Sequence, residues 1–379
     1  KEALVAGLRQ KKYADLLPGY ENITYFDEGA AVLVKDGVKV GNRLIQAPRI
    51  IIATGGRPSL PSIAGIADVP TLDSTSLLEL DTLPDSLIFV GGGYIGVELA
   101  QMMARMGVKV TVVCRSRLLP EVEPEVSEAL AQVFDDEDIA VRSGVTYDGC
   151  RADGGSVILS VTQNGRPLEL SADHLVVTTG RSPNTDGLGL EAMGVATNRR
   201  GAIKVGDDMQ TTRPGVYAAG DVTDRDQFVY MAAYGAKLAA KNAVGGTERY
   251  DNAAMPWIVF TDPQVAGVGL TESGAISAGH EVKTSVLTLD NVPRALAARD
   301  TRGVIKLIAD ANTDRLLGGV IMAPEGSDSI QTLALALKFG MTTKALGETL
   351  FPYLTTVEGL KLTAQTFDRD VAKLSCCAG

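Results

Sequence analysis

The chain has 379 residues, enough for two or three domains with cores of their own. Its net charge of −10 and isoelectric point near 4.9 argue against nucleic acid or an anionic membrane as partners. Four cysteines make no disulfide framework, and no apolar run reaches the ~20 residues of a membrane helix, so a reducing cytoplasm is the expected location.

The first residue is Lys1, with neither an initiator methionine nor a leader pattern, and the chain is expected to be a piece of something longer. Residues 2–16 read as the end of a helix. Short strands at 30–34 and 43–47 flank the turn residues Lys35-Asp36-Gly37. An apolar strand, Arg49-Ile50-Ile51-Ile52-Ala53, then runs into Thr54-Gly55-Gly56-Arg57-Pro58. Leu175-Val176-Val177-Thr178 runs in the same way into Thr179-Gly180-Arg181-Ser182-Pro183. Two such segments suggest two crossing points of one discontinuous domain, residues 1–81 and 174–251, around an insert at 82–173. From 252 onward, strands near 257–260, 281–288, 303–309 and 316–322 and helices at 328–338 and 358–366 read as a separate α+β domain, 252–379.

The insert alternates strand and helix, the pattern of a parallel sheet. Strand 86–90 leads into Gly91-x-Gly93-x-x-Gly96 and a helix through residue 106. Preceded by a strand and followed by a helix, the three glycines point to a dinucleotide. The first permits a tight turn, the second admits backbone N–H groups to a pyrophosphate, and the third lets helix and strand pack closely. Tyr94 and Ile95 lie inside the loop, where the helix N-terminus offers donors to the anion. The next strand ends in Cys114-Arg115-Ser116-Arg117, without the carboxylate that would accept a ribose 2′-hydroxyl. Arg115 and Arg117 there favour a 2′-phosphate, hence NADPH. Cys114 reads as a buried strand residue, and His174 and His280 as structural or solvated.

Val216-Tyr217-Ala218-Ala219-Gly220-Asp221 delivers one carboxylate at the end of a strand, through a glycine that allows close approach. With residues 53–58 and the Gly91 loop, this segment resembles the pyridine nucleotide–disulfide oxidoreductases over essentially the whole chain. The resemblance implies an α/β fold of two Rossmann-like domains, one for FAD and one for NADPH inserted into it, followed by an α+β dimerisation domain. It implies that Asp221 holds the ribityl chain of FAD, that Thr54, Gly55 and Gly180 line the cofactor segments, and that Gly29 and Ala31 meet the adenine through backbone. Val229 would lie by the isoalloxazine, Tyr94 would gate the nicotinamide pocket, and Glu98 would sit close behind it.

Two departures from the family pattern shape the expectation. Its N-terminal βαβ unit and its Cys-x4-Cys redox pair are absent, since no cysteine precedes Cys114. By this reading the chain is a fragment, with a truncated FAD domain and without the active-site dithiol. The family's closing His-Pro-Thr-x-x-Glu is matched by Tyr353-Leu354-Thr355-Thr356-Val357-Glu358, preceded by Phe351-Pro352, with Tyr353 in the His position. Loss of that His removes the base for reducing an organic disulfide, whereas a metal ion needs no proton on a leaving thiol. Cys376 and Cys377, side by side near the C-terminus, are two soft thiolates suited to a thiophilic metal or to thiol exchange.

Together these features resemble the mercury-reducing members of the family. That resemblance implies a homodimer in which Cys376 and Cys377 act in trans, capturing Hg(II) thiolates and passing the ion on, with Tyr353 and Tyr13 flanking the metal. The alternatives are a lipoamide dehydrogenase or glutathione reductase relative, or an inactive dimer that binds NADP(H) and metal.

Overall fold

A computed structural model of the chain describes residues 1–371. By its contacts the chain divides into two compact units: Lys1–Arg57 with Ser182–Tyr250, and Pro58–Arg181 with the segment from Asp251 onward. Two of the three passages between them fall inside the segments 54–58 and 179–183, and the third lies between Tyr250 and Asp251.

The first unit opens with a helix, Glu2–Arg9, that continues as a π-helical turn, Gln10–Ala14. An antiparallel three-stranded sheet follows, Ala31–Val34, Gly37–Val40 and Arg43–Ile45. The middle strand was not expected, because its four residues follow turn residues directly. Ile50–Ile52 pairs in parallel with Val216–Ala218, in the register Ile50 to Val216 and Ile52 to Ala218. Leu33, Ile52, Leu190, Met193, Ile203, Val216 and Val222 form the core of this unit. The helix Val229–Ala243 buries Met231, Leu238 and Ala239, an i, i+7, i+8 stripe.

The second unit contains a five-stranded parallel sheet in the order Thr71–Leu72, His174–Val177, Ser86–Val90, Lys109–Val113, Ala140–Arg142. The expected insert boundaries at 82 and 173 therefore need correction, because two strands of the dinucleotide sheet lie outside them. The strand at 174 pairs with Ser86–Val90 rather than with Ile50–Ile52, and neighbours of that kind are invisible to local pattern. An antiparallel three-stranded sheet, Val145–Asp153, Ser156–Gln163 and Arg166–Ala172, follows the fifth strand.

From Pro256 onward an antiparallel sheet has the order Pro256–Val259, Gln264–Gly269, Leu316–Ala323, Val304–Asp310, Val282–Thr288. Gln264–Gly269 was missed because its two glycines read as loop. This sheet is not a separate body. Val259, Val265, Val304, Val320 and Met322 share one core with Phe89, Val97, Leu130 and Phe134 of the parallel layer. Its other core holds Leu333 and Leu360, from the helices Gly326–Lys338 and Glu358–Gln365. No helix of the described residues is long and apolar enough to cross a membrane.

Candidate functional site

The three glycines of the dinucleotide loop are constrained in three different ways. Gly91 has φ +113°, a conformation that side chains disfavour, and a Cβ there would stand 2.7 Å from the Thr178 carbonyl oxygen. Gly96, in the first turn of the helix Tyr94–Arg105, would place a Cβ 2.3 Å from the Gly91 carbonyl oxygen. Gly93 caps the helix without a side-chain hydrogen bond, and nothing lies within 4 Å of the position its Cβ would take. Two glycines thus close the turn while the one between them leaves space where an anion would approach. The first N–H groups of a helix lack intrahelical partners and point toward that space. Thr178 was not anticipated; its hydroxyl donates to Val90 O and Gly91 O at 3.1 and 3.0 Å and ties the loop to the neighbouring strand.

At the end of the next strand Arg115 is exposed, whereas Arg117 is engaged locally. The Arg117 guanidinium donates to Ser127 Oγ at 3.1 Å, Pro120 O at 3.1 Å and Val122 O at 2.7 Å, holding the segment that leads into the helix Pro124–Asp136. Cys114 is buried against the loop, and burial pushes its thiol up to about 11. It is therefore protonated at neutral pH and inert.

Tyr94 and Glu98 lie one turn apart on the dinucleotide helix. The Tyr94 ring stacks on Trp257 with centroids 5.5 Å apart and planes 29° off parallel. Glu98 accepts a hydrogen bond from Phe260 N at 2.7 Å, and burial raises its carboxyl above the ordinary range. Ile95 is half-buried beside them. Gly180 has φ +119° and accepts from Ser59 N at 3.0 Å, so the start of one crossing segment holds the end of the other.

In the first unit, three loops meet at the C-terminal ends of the parallel strands, the place where ligands bind open α/β sheets. The Thr54 hydroxyl donates to Asn184 O at 2.8 Å, Asn184 Nδ2 donates back to Thr54 O at 3.0 Å, and Asn184 N donates to Gly55 O at 2.9 Å. Asp221 follows its strand through Gly220, whose φ of +77° suits glycine. A Cβ at Gly56 would stand 3.1 Å from the Asp221 Cβ, so the glycine lets Asp221 pack closely against this loop. These residues fit the cradle of a polyol chain. Gly29, with φ +149°, and Ala31 stand where the sheet 31–45 begins, with nothing within 4 Å of a Cβ at Gly29. Val229, 85% exposed, is the first residue of its helix.

Tyr353 is 60% exposed and belongs to the second unit; Tyr13 is 70% exposed and belongs to the first. The Tyr353 turn is held by the buried carboxylate that closes the motif. Glu358 Oε2 accepts from Leu354 N at 3.3 Å, and Leu354 itself has φ +62°. Cys376 and Cys377 lie outside the described residues. Among the described residues no group of three or more His, Cys, Asp or Glu side chains could hold a metal ion. His280 is structural, with Nδ1 2.9 Å from Asp310 Oδ2, and His174 opens its strand.

A parallel sheet with a Gly-rich loop at its switch point, a second strand pair that ends in an Asp, and an antiparallel α+β segment at the C-terminus define a flavin-type nucleotide oxidoreductase. Residues 8–241 match the family described as pyridine nucleotide-disulphide oxidoreductase, and residues 255–364 match its dimerisation domain. The chain belongs to this family, whose members use FAD and NADPH.

Among curated relatives, it is 45% identical to the mercuric reductase of Lysinibacillus sphaericus, across the whole chain and 70% of that protein. It is 46% identical to that of Bacillus cereus, of which it spans 60%, and 43% identical to that of Streptomyces lividans, of which it spans 81%. Among solved structures, the Cu(II) complex of the HOCl-induced flavoprotein disulfide reductase RclA from Escherichia coli superposes with a TM-score of 0.87 at 30% identity. That match covers 96% of this chain and 83% of the other. LpdA from Mycobacterium tuberculosis gives 0.75 at 29% identity, over 86% of this chain and 71% of that one.

Proposed function

We propose that this chain belongs to a cytoplasmic, homodimeric flavoenzyme that uses NADPH to reduce Hg(II), supplied as thiolates, to Hg(0). The observation that carries the substrate is Tyr353. It occupies the position where the family keeps the base for disulfide chemistry, in an exposed turn that buried Glu358 holds by Leu354 N. A phenol is a far weaker acid than an imidazolium and so a poor proton shuttle at neutral pH, but it can stand beside a metal ion. Relatives called mercuric reductases, 41 to 46% identical over the whole chain, support the same reading.

The residues would divide the work as follows. The Gly91, Gly93 and Gly96 turn and the N–H groups beginning at Tyr94 and Ile95 would bind the pyrophosphate, with Arg115 at the 2′-phosphate. Arg117 would hold the adjoining segment, with a lesser share in the phosphate. Tyr94 would cover the nicotinamide pocket and Glu98 would keep its wall closed to water. Asp221 would accept hydrogen bonds from the polyol of FAD, with Thr54, Gly55 and Gly180 framing that cofactor's segments, Gly29 and Ala31 on the adenine side and Val229 beside the ring. Bound FAD supplies two-electron chemistry between hydride donor and acceptor.

Cys376 and Cys377 would capture Hg(II) by thiolate exchange and deliver it to the partner subunit, with Tyr353 and Tyr13 beside the metal. Exchange suits this cargo, because an ion held by two sulfurs leaves only to an incoming thiol. The test is a substrate panel on the intact enzyme. NADPH oxidation with Hg(II) thiolates, and little with glutathione disulfide or lipoamide, is expected; the reverse preference would contradict the reading.

A further inference from the structure

The dinucleotide helix is fastened along one face to the strand and loop that open the C-terminal domain. Tyr94, Glu98, Gln101 and Arg105 are spaced i, i+4, i+7 and i+11, so they form one stripe. Glu98 binds Phe260 N; Gln101 exchanges two hydrogen bonds with the backbone of Asp262, both 2.8 Å; Arg105 pairs with Asp262 Oδ2 at 2.7 Å. Trp257 stands at the head of this stripe, against Tyr94.

The indole of Trp257 also packs against the neighbouring strand. Trp257 pairs with Gly267 across the antiparallel ladder, and a Cβ at Gly267 would lie 2.2 Å from Trp257 Cζ2. The indole therefore lies flat across a glycine in the next strand, where a side chain would have no room. This contact restricts the indole, which serves Tyr94 as a platform. Tyr94, by contrast, sits in the loop end of its helix with one ring face on that platform.

We infer that Trp257 is a positioning residue that holds Tyr94 in its resting place over the nicotinamide pocket, so that the nicotinamide must break the stack to enter. The inference rests on the reading of the Gly91 loop as the NADPH site. Aromatic pairs contribute beyond their buried area, so the stack opposes nucleotide entry by a factor of about two to ten. Removing the platform should therefore tighten the binding of the whole dinucleotide, the opposite of what damage to the site would do. A fragment that fills only the adenosine end never displaces Tyr94 and should not sense Trp257.

The test uses NADP+ and 2′,5′-ADP, with calorimetry for affinity and the emission of the chain's single tryptophan as the second readout. In the native protein NADP+ should change the emission of Trp257 to saturation, and 2′,5′-ADP should bind without changing it. Trp257→Leu should lower the dissociation constant for NADP+ about two- to tenfold and leave that for 2′,5′-ADP unchanged, and Trp257→Phe should restore most of the difference. Weaker binding of both nucleotides to Trp257→Leu would overturn the inference. So would an equal emission change, or none, with both ligands on the native protein, a result that needs no variant to fold. If neither nucleotide binds at all, the dinucleotide reading falls and the inference falls with it.

Discussion

Arg115 and Arg117 began as equals at the end of one strand and play different parts. Arg117 spends its donors on Ser127, Pro120 and Val122, whereas Arg115 is exposed beside the loop. In the proposed function, discrimination for the 2′-phosphate therefore falls mainly on Arg115. Arg115→Glu should weaken NADPH by at least tenfold while changing NADH by less than about threefold, since a like charge opposes only the phosphate. Equal losses would show that Arg115 does not meet that group. A second residue-level test is thermodynamic. The His280 hydrogen bond, with those from Thr313 and Asn312, holds the Asp310 carboxyl down at about 2. A carboxyl depressed below its unfolded value near 4 stabilises the fold above that pH and loses this contribution as pH falls toward about 2. Asp310→Asn should therefore lower the thermal midpoint at neutral pH, with the gap to the native chain closing between about pH 4 and pH 2. A gap independent of pH would contradict the assignment.

At the scale of elements, the strand–turn–helix from Ser86 to Arg105 carries the argument. Gly96→Ala would press a methyl against the Gly91 carbonyl oxygen and the Thr178 hydroxyl, at 2.3 and 2.7 Å. The turn must open, and nucleotide affinity should fall about tenfold or more, measured by calorimetry; native affinity would mean that the phosphate does not sit on this turn. This element was legible in the sequence because its determinants are local: apolar strand, three spaced glycines, amphipathic helix. The Asp221 segment was legible for the same reason. Gln264–Gly269 was not, and the cause is instructive. Gly267 is glycine because Trp257 lies over it, so a packing requirement from another strand removed the side chain by which a strand is recognised. The Tyr94–Trp257 stack and the Thr178 tether have no local signature either, since each joins residues far apart in the chain. The Cys-Cys tail lies outside the described residues, so its reading stays with the sequence.

At the scale of the whole molecule, the second unit joins the dinucleotide layer to the C-terminal sheet through shared core and buried charge. Lys306, with a side chain only 2% exposed, reaches Glu123 and Glu272 at 2.7 Å and Glu125 at 2.8 Å. Burial alone would lower its pKa, but the three carboxylates outweigh burial and keep it charged. Lys306→Met would leave these carboxylates facing one another, at a cost of about 3–5 kcal/mol in denaturant unfolding at neutral pH. The cost should shrink in acid as the carboxylates take up protons, whereas a pH-independent cost would point to lost packing alone. In the proposed function, a dinucleotide layer that shares its core with the C-terminal sheet is a firm base for hydride delivery, and the electrons go to Hg(II). NADPH gives up two electrons and Hg(II) takes up two in becoming Hg(0). The most direct measurement is therefore the amount of Hg(0) vapour released per NADPH oxidised by the intact enzyme with Hg(II) thiolates. One Hg(0) per NADPH is expected; NADPH consumed without release of Hg(0) would contradict the proposed function.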